Sequence, residues 1–294
     1  MVFRHLPRAF AGIRSSVRHH IMEPNITTSD LRRISNLKYG YGESRGWGPK
    51  LREIFGYNTP DDWYETLLDR LVTSSTRWLE VGCGRRLFPS NPSLASELSA
   101  RCRRLVGIDE SENISENPYI HAYQRAYLEN FKTDEIFDLI TLRMVAEHVR
   151  DPDKLTSALA KLLSPGGRVV IYTVHRWSPV SVVAWITPMP VHHALKGLIW
   201  EAQPRDTFPV EYRMNTRKDL SDVFSKSGFE EKSYRILSDC RTFQKWKFTN
   251  LLELLVWKIL HIFGLSYPEV CVLATYGRPY YPSNVVSQDP QVLD

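Results

Sequence analysis

The chain lacks paired cysteines. Cys83, Cys102, Cys240 and Cys271 are widely spaced, with no CxxC pair and no clustered histidines beside them, so neither a disulfide scaffold nor a zinc site is indicated. A reducing compartment fits that pattern, and the sequons 25-NIT and 113-NIS matter only in a secreted chain. A block of one charge is also missing. The 38 Lys and Arg residues are scattered among 33 Asp and Glu residues, a formal charge of +5, and no nucleic-acid patch stands out. Nothing resembles the apolar core of a signal peptide. The most apolar helix candidate, 247-KFTNLLELLVWKILHIFG, is short and interrupted by Glu253, Lys258 and His261, which argues against a membrane span. It is left as a core or dimer helix, a cover over an apolar substrate pocket, or an interfacial membrane contact. Internal repeats and low-complexity tracts are absent too.

What remains is a globular composition, 43% hydrophobic and 24% charged, in a chain long enough for one large domain with additions. At the N-terminus Phe3, Leu6, Phe10, Ile13, Val17 and Ile21 fall at helical spacing beside Arg4, Arg8, Arg14 and Arg18. Such a basic amphipathic helix packs on the domain, lies on an anionic membrane, or serves as a mitochondrial transit peptide in a eukaryotic source. The location is otherwise expected to be cytoplasmic. Residues 25–56 read as an ordered loop or short helices, and 61-DDWYETLLDRL as a helix with an acidic start.

From there strands and helices alternate. Strands are expected at 77-RWLEV, 104-RLVGID, 137-FDLITL and 168-RVVIYTV, with helices at 92-PSLASELSARC and 151-DPDKLTSALAKLL between them. That rhythm predicts an α/β, doubly wound, mostly parallel sheet. It stops after His175. A Pro- and Trp-rich insertion, residues 176–215, is expected to cover a site, followed by a helix at 217-RKDLSDVFSKSG and strands at 230-EEKSYRIL and 269-EVCVLATYG. The implied division is an N-terminal extension (1–60), a main domain (61–280) holding the insertion and the apolar helix 247–264, and a tail (281–294).

In such a sheet the ligand sits beyond the carboxyl ends of the strands, at the first strand-to-helix turn. Here that turn is 78-WLEVGCGRR. Gly82 and Gly84 permit backbone shapes and close approach that a Cβ blocks. Glu80 just before them suits a cationic ligand better than a pyrophosphate. Asp109, ending the next strand, stands where an acidic side chain accepts bonds from ribose hydroxyls. A nucleoside without phosphates but with a positive centre fits both carboxylates.

Together 79-LEVGCG, 105-LVGID, 137-FDLIT and 162-LLSPGG resemble a class I S-adenosylmethionine-dependent methyltransferase over roughly residues 61–175. The resemblance implies a Rossmann-like sheet of seven strands with the last antiparallel, and S-adenosyl-L-methionine as cofactor. It implies that the turn from Gly82 to Gly84 passes the amino-acid part of the cofactor and that Asp109 binds its ribose; Glu80 and Arg143 complete the candidate cofactor contacts. Arg86 departs from the family's E-x-G-x-G-x-G pattern, which puts the loop geometry in question because the third glycine aids close helix packing. The segment 142-LRMVAEHVRDP resembles the small-molecule branch that includes quinone-biosynthetic O-methyltransferases. Met144 stands where relatives there carry an acidic residue, so no carboxylate-bound metal is expected.

His148 is the candidate general base, with Glu147 beside it; alternatively both orient the loop, since alignment alone carries many methyl transfers. Tyr172, His175, Glu211 and Tyr212 are candidate substrate contacts. Arg213 is a further lid residue, and His192 and His193 are insertion residues without an assigned role. Cys83 reads as a loop filler. The expected partner is a small, lipophilic acceptor, with peripheral membrane contact an open possibility. The competing readings are a non-catalytic cofactor-binding scaffold, a peripheral-membrane lipid or quinone methyltransferase, a nucleic-acid or protein methyltransferase, for which no motif stands here, and a nicotinamide-dependent enzyme, against which Glu80 and the missing third glycine argue.

Overall fold

The computed structural model describes residues 24–186 and 210–279. The expected N-terminal amphipathic helix, His192, His193 and the 281–294 tail lie outside the described residues, as does most of the insertion. Three helices come first: α1 (Thr28–Tyr39), α2 (Trp47–Phe55) and α3 (Pro60–Leu71). Then follow β1 (Arg77–Val81), α4 (Pro92–Arg101), β2 (Arg104–Asp109), β3 (Ala122–Arg125), β4 (Phe137–Arg143), α5 (Pro152–Leu162) and β5 (Leu163–Val174). The last described elements are α6 (Pro179–Ile186), α7 (Arg217–Lys226), β6 (Glu230–Ser238), α8 (Lys247–Ile262) and β7 (Val270–Gly277).

Helix starts follow one chemical rule. Thr59, Asn91 and Asp151 each accept a backbone N–H from the first turn, and each is followed by Pro at the first helical position, where the missing N–H costs nothing. In α3 the box is reciprocal, with Asp62 accepting from Thr59 N at 2.8 Å.

The sheet runs β3-β2-β1-β4-β5-β7-β6. β1 to β5 are parallel, and β7 enters antiparallel between β5 and β6. This is the seven-stranded, mostly parallel sheet the resemblance implies. Because side chains alternate along a strand, β1 feeds two cores. Leu79 and Val81 pack with Ile140 and Leu142 beneath α5 and α7, whose Leu159 and Phe224 are fully enclosed. Trp78 faces the other way, among Tyr64, Leu68 and Leu98 of α3 and α4 and Ile34 of α1. A smaller cluster joins Leu254 and Trp257 of α8 to Leu51 and Phe55 of α2. No helix among the described residues is long and apolar enough to cross a membrane.

Candidate active site

The carboxyl ends of β1, β2, β4, β5 and β6 share one edge of the sheet. After Val81 the backbone swings through Gly82 (φ 68°) and Gly84 (φ 46°), left-handed conformations that a side chain disfavours. Gly82 N–H donates to Ile108 O at 2.8 Å, tying the turn to β2. A Cβ on Gly82 would run into Val145 Cγ2, whereas one on Gly84 would meet nothing within 4 Å. Cys83 fills the space beneath, against Gly107, and burial pushes its thiol pKa up.

Asp109 closes the turn from the far side. Its Oδ2 accepts Gly84 N–H and its Oδ1 accepts Ser111 N–H, both at 2.8 Å. A carboxylate has about four acceptor positions, so two bonds leave capacity for further donors. Buried Asn117 donates to Cys83 O at 3.3 Å and Gly84 O at 3.1 Å. Sequence reasoning passed over Asn117; its only local signal is the turn-forming Asn-Pro pair. The absent third glycine also finds its reason. Residues 85–91 separate the turn from α4, and Arg86 among them is exposed, so its side chain is accommodated in solvent.

Glu80 is 2% exposed and points into the core that contains Trp78. Thr141 Oγ1 donates to its Oε2 and receives Trp78 Nε1–H at 2.6 Å. Burial pushes the Glu80 carboxyl up to about 8, against the opposing pull of Thr141 and the Arg143 charge. Arg143 ends β4 and pairs with Asp61 of α3 at 3.3 Å. Asp61 also pairs with Arg241, which reaches Asp239 at 2.6 Å. Although burial alone would raise Asp61, the two guanidiniums and Lys38 hold its carboxyl far below the usual range. Neither Asp61 nor Arg241 was singled out in the sequence, since they lie far apart along it.

The turn after β4 is pressed against the glycine turn through Val145. Met144 adopts φ 52°, strained for a non-glycine residue, while its N–H donates to Tyr172 O at 2.7 Å. Glu147 and His148 follow in a single helical turn, Ala146–His148. Glu147 is buried, its Oε2 accepting from Thr173 Oγ1 at 2.7 Å, with Asn215 Nδ2 donating to the same Thr173 hydroxyl at 2.9 Å. Burial raises the Glu147 carboxyl, and the nearby His148 charge opposes that rise. Its backbone oxygen accepts Glu211 N–H at 2.7 Å and Tyr212 N–H at 3.1 Å, anchoring the return of the insertion. Tyr212 is buried at φ 51°, and Glu211 pairs with Arg150 at 3.5 Å. His148 itself is half-buried.

Of the two expected substrate contacts on β5 and just beyond it, Tyr172 is placed differently. Tyr172 is fully enclosed and stacks on Tyr64 with ring centroids 5.1 Å apart, so it presents no surface to an acceptor. His175 is half-buried where β5 ends. Its Nδ1 accepts Trp177 N–H at 3.2 Å, and burial lowers its pKa while Asp219 of α7 opposes. The structure thus brings together the glycine turn, Asp109, Val145, Glu147, His148, Glu211 and Tyr212, and leaves Tyr172 in the core. A cavity of about 610 Å³ lies elsewhere, between residues 128–136 and α5, away from these groups.

Residues 51–233 match the family described as Methyltransferase domain. Among similar curated proteins, the Ubiquinone biosynthesis O-methyltransferase of Coxiella burnetii (strain RSA 331 / Henzerling II) is 26% identical over 167 residues, covering 53% of this chain and 66% of the relative. That of Aromatoleum aromaticum is 28% identical over 166 residues, covering 53% and 66%. The chain thus spans just under two thirds of the length of these relatives. A solved S-adenosylmethionine dependent methyltransferase from Mesorhizobium loti overlaps with a TM-score of 0.47 at 19% identity, covering 75% of this chain and 99% of that one. With the family match spanning more than half of its length, the chain belongs to the methyltransferase domain family.

Proposed function

We propose that the protein transfers a methyl group from S-adenosyl-L-methionine to a small, lipophilic acceptor. One observation carries this reading: the glycine turn leaves no room for a side chain at Gly82, and Asp109 stands directly behind it with acceptor capacity to spare. The cofactor, when bound, supplies a methyl group on a positively charged sulfur. Gly82 and Gly84 let backbone approach its amino-acid portion, and Asp109 accepts from its ribose hydroxyls. Glu80 answers the positive charge. Asp61, Asp239, Arg143 and Arg241 balance among themselves, so a cation near Glu80 favours its ionised form. Arg143 acts here from its pair with Asp61.

His148 accepts the acceptor's proton as the nucleophile forms. Glu147 is a positioning residue: enclosed, bonded to Thr173 and holding Glu211 and Tyr212 through its carbonyl, it fixes the turn that carries His148 and the base of the covering insertion. Displacing a neutral thioether needs no acid, so alignment and exclusion of water are what the chain must provide. The names of the curated relatives support hydroxyl-bearing aromatic acceptors as the first class to try.

The test is transfer of labelled methyl to a panel of phenols, quinols, amines and lipids. His148→Ala is expected to lower kcat by about 10²- to 10⁴-fold while leaving cofactor affinity unchanged. Undiminished kcat in that variant would remove His148 from the reaction and leave alignment alone. No transfer to any acceptor, with cofactor binding intact, would favour the non-catalytic reading.

A further inference from the structure

α8 buries one side and bares the other. Leu254 and Trp257 pack toward α2, and Lys258 Nζ donates to Phe55 O at 3.0 Å. On the opposite side Phe248 (75% exposed), Leu252 (50%), Leu255 (45%), Ile259 (47%) and Ile262 (68%) form a stripe along the whole helix, continued by Phe263 (74%). Single exposed apolar residues need no explanation; a continuous stripe of this size marks an interaction site.

The charges around the stripe identify what covers it. From residue 240 to 268 the only acidic side chain is Glu253. It is buried, accepting from Tyr267 Oη at 3.0 Å and Phe243 N at 3.2 Å. Lys245 and Lys247 are exposed at the start of the helix, the Lys245 ammonium lying 5.5 Å from the ring centre of half-exposed Trp246. A two-fold pairing of this face with itself would bring cations to a surface offering no exposed carboxylate on this helix. An anionic headgroup layer supplies that charge. Apolar stripe, aromatic end groups and basic rim are together the pattern of a helix lying in a bilayer interface.

We infer that α8 is a membrane-docking helix that lays its exposed apolar face into the interface of an anionic lipid bilayer. Its root adds a consequence. β6 runs parallel to β5, so α8 leaves the sheet at the edge that carries the glycine turn, and Arg241 in the connecting loop pairs with Asp61 beside Arg143. Docking through α8 therefore seats that edge near the bilayer. Given the methyl-transfer reading above, this is where a lipophilic acceptor is supplied; the docking itself does not depend on that reading.

The experiment is co-sedimentation of the full chain with phosphatidylcholine vesicles, with and without phosphatidylglycerol. The wild type is expected to bind the anionic vesicles and to lose binding as salt rises. Leu252→Asp combined with Ile259→Asp is expected to abolish it, with an unchanged far-ultraviolet spectrum and melting temperature. Should that pair unfold, Lys245→Gln with Lys247→Gln tests the same face, with about fivefold weaker binding expected for each lysine removed. Failure of the wild type to bind, or full binding by a folded variant of either pair, overturns the proposal. So does a wild-type dimer that Leu252→Asp with Ile259→Asp splits without vesicle binding, which would assign the face to a second copy. Titration with S-adenosylmethionine on the same samples separates loss of docking from failure of the methyl-transfer reading.

Discussion

The two halves of the candidate site are built by different means. At the ends of β1 and β2 the backbone does the shaping: Gly82, Gly84 and the N–H groups that meet Ile108 and Asp109. At the ends of β4, β5 and β6 side chains do it, through Asp61 with Arg143 and Arg241, and through Glu147 with Thr173 and Asn215. The first half can be spoiled by a single added methyl group, whereas the second is spoiled by taking a partner away.

Breaking the side-chain half at its centre has the largest expected effect. Asp61→Ala leaves the largely buried Arg143 guanidinium without its carboxylate and Arg241 with Asp239 alone, and is expected to cost about 3–5 kcal/mol in urea unfolding. An effect near zero would mean that Arg143 finds another partner. The backbone half comes next. Gly82→Ala combines a left-handed backbone with a clash on Val145 and is expected to cost roughly 2–5 kcal/mol, while Gly84→Ala, with open space around it, costs about 1–2 kcal/mol. Equal costs at the two glycines would show that strain alone, and not Val145, sets the limit. Thr173→Val leaves Glu147 without its donor and deprives Asn215 of an acceptor, an expected loss of about 1–3 kcal/mol.

The subtlest prediction concerns pH. The Glu80 carboxyl rises to about 8 from an ordinary 4.5. Between those values the folded chain holds a proton that the unfolded chain has lost, so stability falls as pH rises across that window. Glu80→Gln is expected to flatten the dependence of melting temperature on pH between about 5 and about 8. In the wild type, affinity for S-adenosylmethionine is expected to rise with pH over the same range. A slope identical in the variant would place the responsible group elsewhere.

The contrast also explains what was legible in the chain. Strands β1 and β2 are apolar runs that meet a glycine or an acid at their ends, β4 is an apolar run ending in Arg143, and the helix caps Thr59, Asn91 and Asp151 precede prolines, so local pattern suffices for them. β3 is four half-exposed residues at a sheet edge, AYQR, with no apolar run to reveal it. The glycine turn and Asp109 are local as well, fixed by backbone geometry that only certain residues allow. Asp61 with Arg241, Trp78 with Thr141, and Glu147 with Thr173 are pairs between distant segments, which no spacing rule can find. Tyr172 shows the same limit: its place at the end of β5 was readable, but the α3 Tyr64 that covers it was not.

The central claim is that the backbone-built half binds S-adenosylmethionine, and calorimetric titration of the full chain with that compound tests it most directly, with NAD as the competing ligand and Asp109→Ala as control. Saturable binding of S-adenosylmethionine that Asp109→Ala abolishes, with none for NAD, is the predicted result; no binding, or preference for NAD, would contradict the account.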